Sequence, residues 1–308
     1  LLIGSILAAT DPVSVLALVR NLGAPKRLSV LLEGESLFND GTAIVLFNII
    51  LLTTLSIIAG ENVSLGEVMT NGIASFIVVV TVGVVVGYLC GMVANHLLHQ
   101  SEDHLVEIAL TVALAFGSFL LAELMHGSGV ISVVVAGLLV GNKGAPEGMT
   151  PTARVGLHHF WEVVSFLVNS ILFLVVGYEL QSVIAWNIHT GFLALVAVMA
   201  ALLARLVVFP LTDVANLGEV NKIDRKWQLA MWWGGLRGSI PIALLLLLSH
   251  IVHDGQALLI GGDTVNVKLD EAIYSDMLVL AFSVILFSLI VQGLTMKTLL
   301  ARLGIGGR

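Results

Sequence analysis

Polar surface is what this sequence has least of. Charged residues make up 11% of its 308 positions, against roughly 25% in an ordinary soluble domain. That is too little to clothe a water-soluble globule of this size. The scarcity excludes a soluble enzyme, a nucleic-acid-binding protein and a disordered scaffold. The one cysteine, Cys90, lies in an apolar run, which excludes a disulfide framework and a cysteine-rich metal site. Aromatic residues supply only 6%. What is abundant is Leu, Val, Ala and Ile together with 31 glycines, at 57% apolar and a mean hydropathy of +1.02. This is the composition of packed transmembrane helices, in which small residues let backbones approach closely. The chain begins Leu1-Leu2-Ile3, already inside an apolar segment, and is expected to be a fragment whose N-terminal part is missing.

A membrane crossing takes about 20 mostly apolar residues. Nine stretches qualify, at 1–20, 28–59, 70–96, 104–125, 128–142, 156–181, 190–213, 226–249 and 272–298, the fifth being short. The basic residues test this count. Loops after spans one, three, five and seven, with the C-terminal tail, hold Arg20, Lys26, Arg27, Lys143, Arg154, Lys222, Arg225, Lys226, Lys297, Arg302 and Arg308. The opposite side holds only Lys268. By the positive-inside rule the first group is cytoplasmic, residue 1 is external and the C-terminus is cytoplasmic. The expectation is a multi-pass protein of the cell membrane, with the acidic loop at 250–271 outside.

Four charges stand apart from this pattern. Asp11, Asp40, Arg205 and Arg237 all fall near the middle of their spans. At 1.5 Å per residue, Asp11 and Asp40 lie roughly 15–20 Å from the face at which their spans enter. An ionised group there costs at least ~2.5–3.5 kcal/mol and marks a functional site by default. Around Asp40 the chain reads Glu35-Ser36-Leu37-Phe38-Asn39-Asp40. Helical spacing gathers Glu35, Ser36, Asn39 and Asp40 onto one oxygen-rich face and leaves Leu37 and Phe38 off it. Oxygen donors suit hard cations. Around Asp11 the chain reads Ala9-Thr10-Asp11-Pro12, and the proline breaks or kinks that helix. The Thr10 main-chain oxygen thereby becomes available beside the Asp11 carboxylate. Gly234-Gly235-Leu236-Arg237-Gly238-Ser239-Ile240-Pro241 repeats the device at matching depth. Interrupted spans in corresponding positions of two halves point to the binding site of a secondary transporter.

At these residues the chain resembles the Na⁺/H⁺ antiporters of the monovalent cation:proton antiporter-1 family, relatives of the animal sodium/proton exchangers. The matching strings are Ala9-Thr10-Asp11-Pro12, Gly34-Glu35-Ser36-Leu37-Phe38-Asn39-Asp40, Ser128-Gly129-Val130-Ile131, Phe173-Leu174-Val175-Val176-Gly177 and Gly234-Gly235-Leu236-Arg237-Gly238. They run in order over nearly the whole chain. The resemblance implies an all-α inverted-repeat antiporter fold with two crossing discontinuous helices, of whose roughly thirteen helices about nine are present. It implies a core ion-transport domain from 1–60 and 186–308, and a dimerisation scaffold at 61–185 in a homodimer. It also implies that Asp11, Asp40, Ser36 and the Thr10 carbonyl hold Na⁺. Asn39 would steady the broken helix, Arg205 would pair with Glu35, and Arg237 would belong to the second break. The partners implied are monovalent cations, protons and the bilayer, with no cofactor, no nucleic acid and no enzymatic reaction.

Competition at one site is then enough for exchange. Carboxyls withdrawn from water take up protons more readily, and a bound cation drives the protons off. If only a loaded core crosses, the two fluxes are coupled. The Asn39-Asp40 pair resembles the electroneutral type, with Asp11 and Asp40 carrying either cation or proton. A cation channel and a K⁺/H⁺ antiporter are the alternatives, since ligand type alone does not separate Na⁺, Li⁺ and K⁺.

Overall fold

The computed structural model describes residues 1–11, 15, 16, 19, 23–60, 65–101, 103–183, 188–215, 223–260 and 263–305. Among these, eight helical stretches are long and apolar enough to cross a membrane, and each coincides with one of the second to ninth expected spans. The first expected span, 1–20, includes residues outside the described ones, Pro12 and Arg20 among them.

The helices are α1 (Leu2–Ile6), α2 (Lys26–Ile58), α3 (Leu65–Leu98), α4 (His104–Leu124), α5 (Gly129–Leu139), α6 (Ala145–Gly148) and α7 (Pro151–Val183). There follow α8 (Ile188–Ala204), α9 (Val208–Ala215), α10 (Arg225–Gly234), α11 (Ser239–His253), α12 (Glu271–Phe287) and α13 (Gly293–Leu303). The short fifth span gains its length from a π-turn at Val140–Gly144 that leads into α6. The loop at 250–271, expected to be external, contains two strands that a purely helical reading does not anticipate. β1 (Gln256–Ile260) pairs antiparallel with β2 (Asp263–Val267), from Gln256 opposite Val267 to Ile260 opposite Asp263.

The chain divides into two compact units, one of residues 1–43 and 172–308, the other of 44–171. In the second unit α3 and α5 run parallel in close contact. A Cβ added at Gly83, Gly87 or Gly91 would meet Ser128 and Ile131, Ser132, or Ala136 and Leu139 respectively. The four-residue glycine spacing thus brings two backbones together where side chains would hold them apart. Ser132 is buried there, and its hydroxyl donates to the Ser118 carbonyl (3.0 Å).

In the first unit a buried apolar cluster joins Val15, Val19, Leu28, Leu32, Leu236, Met296 and Leu300. Besides the unwound segment after α1, three interruptions of regular helix lie among the described residues of this unit. A 3₁₀ turn at Arg205–Val207 separates α8 from α9. Pro210 explains it, because a proline clashes with the carbonyl four residues back, here that of Leu206. The second interruption is Gly235–Gly238, between α10 and α11. Helix α11 restarts cleanly because Pro241 falls in its first turn, where no intrahelical donor is needed. The third is a π-turn at Ser288–Gln292, between α12 and α13, a local irregularity that recurs at functional sites.

Candidate functional site

The unwound segment after α1 and the unwound segment between α10 and α11 meet directly. The Asp11 amide donates to the Leu236 carbonyl at 2.8 Å. Arg237 Nη1 donates to the carbonyls of Ala8 and Ala9, both at 3.1 Å. The Thr10 amide donates to Asp40 Oδ1 at 3.0 Å, and the hydroxyls of Thr10 and Ser36 are 2.9 Å apart. A break in a transmembrane helix frees donors and acceptors that find no water in hydrocarbon. Here an anion from α2 takes an amide, and a cation from the second break takes the carbonyls. The second break is served in turn by the π-turn. Ser288 Oγ accepts from the Arg237 amide (3.0 Å), and Gln292 Nε2 donates to the Trp233 carbonyl (3.1 Å).

Beside this crossing lies a buried ion pair. Arg205 Nη2 is 2.8 Å from Glu35 Oε1, with side chains 7% and 19% exposed. The same guanidinium donates to the carbonyls of Trp232 (2.9 Å) and Met231 (2.8 Å), in the last turn of α10 before the break. Asn39 Nδ2 reaches both Glu35 Oε1 (3.4 Å) and Thr10 Oγ1 (3.5 Å). Two glycines make room. A Cβ at Gly235 would collide with the Arg205 guanidinium, and one at Gly238 with the Asp11 side chain.

The structure therefore brings Asp11, Asp40, Ser36, Thr10, Asn39, Glu35, Arg205 and Arg237 into one neighbourhood, while Pro12 lies outside the described residues. Arg205, Arg237, Ser36 and Thr10 are buried, and Asp11, Asp40, Glu35 and Asn39 are partly so. A cavity of about 650 Å³ opens onto Glu35, Asn39, Arg205 and Arg237. Apart from Thr212 its other walls are apolar, from Leu7, Ala197 and Ala201 among others, and neither Asp11 nor Asp40 lines it.

Sequence reasoning passes over Ser288 and Gln292, although a serine and a glutamine four residues apart in an apolar span are a readable signal. It also passes over Glu107. That side chain is fully buried, and its Oε2 accepts from the Thr150 amide (3.0 Å) and hydroxyl (3.2 Å). Glu123 Oε1 accepts from the Gly129 amide at the start of α5 (2.9 Å).

With this geometry in view, the comparisons with known proteins are specific. The family described as "Sodium/hydrogen exchanger, transmembrane" matches residues 1–302. The chain is 41% identical to the Na⁺/H⁺ antiporter NhaG of Bacillus atrophaeus, over 98% of this chain and 52% of that protein. It is 40% identical to the Na⁺/H⁺ antiporter ApNhaP of Aphanothece halophytica, over 100% of this chain and 54% of the relative. The chain thus spans about half the length of these relatives. Its fold is similar to that of the sodium proton antiporter MjNhaP1 of Methanocaldococcus jannaschii, with a TM-score of 0.73 and 20% identity over 98% of this chain and 70% of the other. A polytopic helical chain with this profile and this fold belongs to the transmembrane sodium/hydrogen exchanger family.

Proposed function

We propose that the chain carries the transport site of a secondary antiporter that exchanges Na⁺, or Li⁺ or K⁺, for H⁺, one for one. Cation and protons compete for Asp11 and Asp40, with Ser36 and Thr10 completing the oxygen donors. The observation that carries this reading is the crossing of two unwound segments, where the Thr10 amide meets Asp40 and the Asp11 amide meets the Leu236 carbonyl. Two carboxylates, one from α2 and one from the unwound segment after α1, with main-chain groups between them, suit a dehydrated monovalent cation. Glu35 and Arg205 cancel each other, and Arg237 offsets one of the two carboxylates. Na⁺ entry displaces protons, protonation displaces Na⁺, and the core moves across only when loaded.

The unit of residues 1–43 and 172–308 holds every residue of this site; we assign it the transport role. To the unit of 44–171 we assign the scaffold of a homodimer, and the glycine-packed α3–α5 pair suits a rigid part. The basic ends of the spans support a cytoplasmic C-terminus and an external residue 1.

The test is ΔpH-driven exchange in proteoliposomes, read with a pH-sensitive dye as Na⁺, Li⁺ or K⁺ is added in turn. Asp40→Asn should abolish the response while the protein remains folded. Full exchange by that variant would overturn the assignment, and a steady current under voltage clamp would favour a channel.

A further inference from the structure

We propose that a groove between α10 and α13, away from the transport site, binds an anionic phospholipid. One acyl chain lies along the groove floor and the phosphate sits at Arg302. The groove has a volume of about 480 Å³. Leu229, Trp232 and Trp233 of α10 form one wall, at helical spacings of three and four. Thr298, Leu299 and Arg302 of α13 form the other.

The two indole N–H groups of the floor are already engaged. Trp233 Nε1 donates to Thr295 Oγ1 (2.9 Å), and Trp232 Nε1 donates to the Leu202 carbonyl (3.2 Å). Apart from the Thr298 hydroxyl, ring faces and aliphatic carbons are what meets an occupant, so the floor takes a mainly apolar one.

The mouth is different. Arg302 lies in the last turn of α13 and is exposed. Lys226 lies in the first turn of α10, one turn before Leu229 on the same face, and is exposed as well. Neither has an ion-pair partner among the described residues, whereas Arg225 is bound to Asp213 (3.0 Å) and Arg27 stacks on Trp227 (5.7 Å). The exposed Asp224 precedes α10. These two cations, without ion-pair partners among the described residues, and the amides at the start of α10 leave that end positive. Along α13, Arg302 and Thr295 are separated by about 10 Å, the rise of seven residues. That distance takes a ligand from headgroup level into the hydrocarbon. A free anion leaves the tryptophan floor without purpose, and a neutral apolar molecule leaves the cations without one. A phospholipid with an acidic headgroup matches both ends, and pockets of this composition at the basic side of a membrane protein recognise such headgroups.

Trp232 and Trp233 make the test direct. The protein is reconstituted in phosphatidylcholine containing a small, equal fraction of dibrominated phosphatidylglycerol or dibrominated phosphatidylcholine, and tryptophan emission is recorded. A Trp232→Phe/Trp233→Phe variant supplies the background from the other tryptophans. The brominated acidic lipid should quench the groove signal about fivefold more effectively, the enrichment that one basic residue confers at a membrane surface. Arg302→Gln should bring quenching down to the phosphatidylcholine level, Arg302→Lys should retain most of the preference, and Lys226→Gln should lose part of it. Unbrominated phosphatidylglycerol should compete, and millimolar inorganic phosphate should not. Equal quenching by the two lipids, or a preference untouched by both Arg302→Gln and Lys226→Gln, overturns the proposal. Displacement by phosphate alone overturns the two-part lipid site. Exchange activity does not enter the readout, so the result stands apart from the antiport assignment.

Discussion

Replacing Arg205 with alanine probes how the unwound segments are held. Arg205 donates to Glu35 and to the carbonyls of Met231 and Trp232 from a position 8% exposed. Removing one partner of a buried ion pair costs about 3–5 kcal/mol, because the other charge stays behind uncompensated. Each carbonyl left without a donor adds about 1–3 kcal/mol, shared rather than summed because the groups form one network. Arg205→Ala should therefore destabilise the folded protein by about 3–6 kcal/mol. Glu35→Ala should cost less, because Arg205 keeps two carbonyl acceptors. The double variant removes the stranded carboxylate but not the stranded carbonyls. It should be about 1–3 kcal/mol more stable than the two single effects added together. Arg205→Lys keeps the charge, yet one ammonium cannot serve the carboxylate and two carbonyls with a planar fork's geometry, so it should recover only part of the loss. The assay is unfolding in mixed micelles titrated with SDS, followed by tryptophan emission for all four variants. Additivity within about 0.5 kcal/mol would mean that the pair is not coupled. A cost below about 1 kcal/mol for Arg205→Ala would mean that it behaves as a surface ion pair. Either result refutes the reasoning.

Gly238→Ala pushes a Cβ into the Asp11 side chain. Misplacing a group by an ångström costs up to about a hundredfold, so ΔpH-driven exchange should fall at least tenfold with an unchanged circular dichroism spectrum. Gly87→Val places a side chain against the Ser132 backbone, and forcing such contacts apart costs about 1–3 kcal/mol. Its thermal unfolding in detergent should shift downward, while a valine at Gly117, whose Cβ would meet nothing within 4 Å, should leave the transition in place. Glu107→Ala strips the Thr150 amide and hydroxyl of their acceptor. It should cost about 1–3 kcal/mol and make the segment around Thr150 cleavable in limited proteolysis.

The membrane is the reason so much of the site was legible in the sequence. Charge is expensive at that depth, so Asp11, Asp40, Arg205 and Arg237 stood out against long apolar runs without any structure. The 3.6-residue period put Glu35, Ser36, Asn39 and Asp40 on one face, and glycine and proline marked both breaks. Their partners were hidden for an equally physical reason. Arg237 bonds to the carbonyls of Ala8 and Ala9, Arg205 to those of Met231 and Trp232, and Asp11 to that of Leu236. A main-chain carbonyl has no side-chain signature, so nothing in the residue type says that it is the acceptor. Glu107 was hidden differently: in the first turn of α4 it reads as an ordinary acid favouring a helix N-terminus. Only the return of the chain at Thr150 buries it. The strands at Gln256–Ile260 and Asp263–Val267 flank a Gly261-Gly262 pair, a hairpin signal that apolar-run counting does not weigh.

One regularity joins the legible part of the site to the hidden part. A helix that unwinds in hydrocarbon leaves amides with no acceptor and carbonyls with no donor, so a single counter-charge leaves half of the break unsatisfied. The break after α1 receives both signs, Asp40 at the Thr10 amide and Arg237 at the carbonyls of Ala8 and Ala9. These two residues come from different segments, so the break closes properly only when α2 and the Gly235–Gly238 segment are both in place. The buried charges are for that reason more than ligand candidates. They specify which segments must come together, because a chain lacking either one would leave half of the break at Ala8–Asp11 unsatisfied.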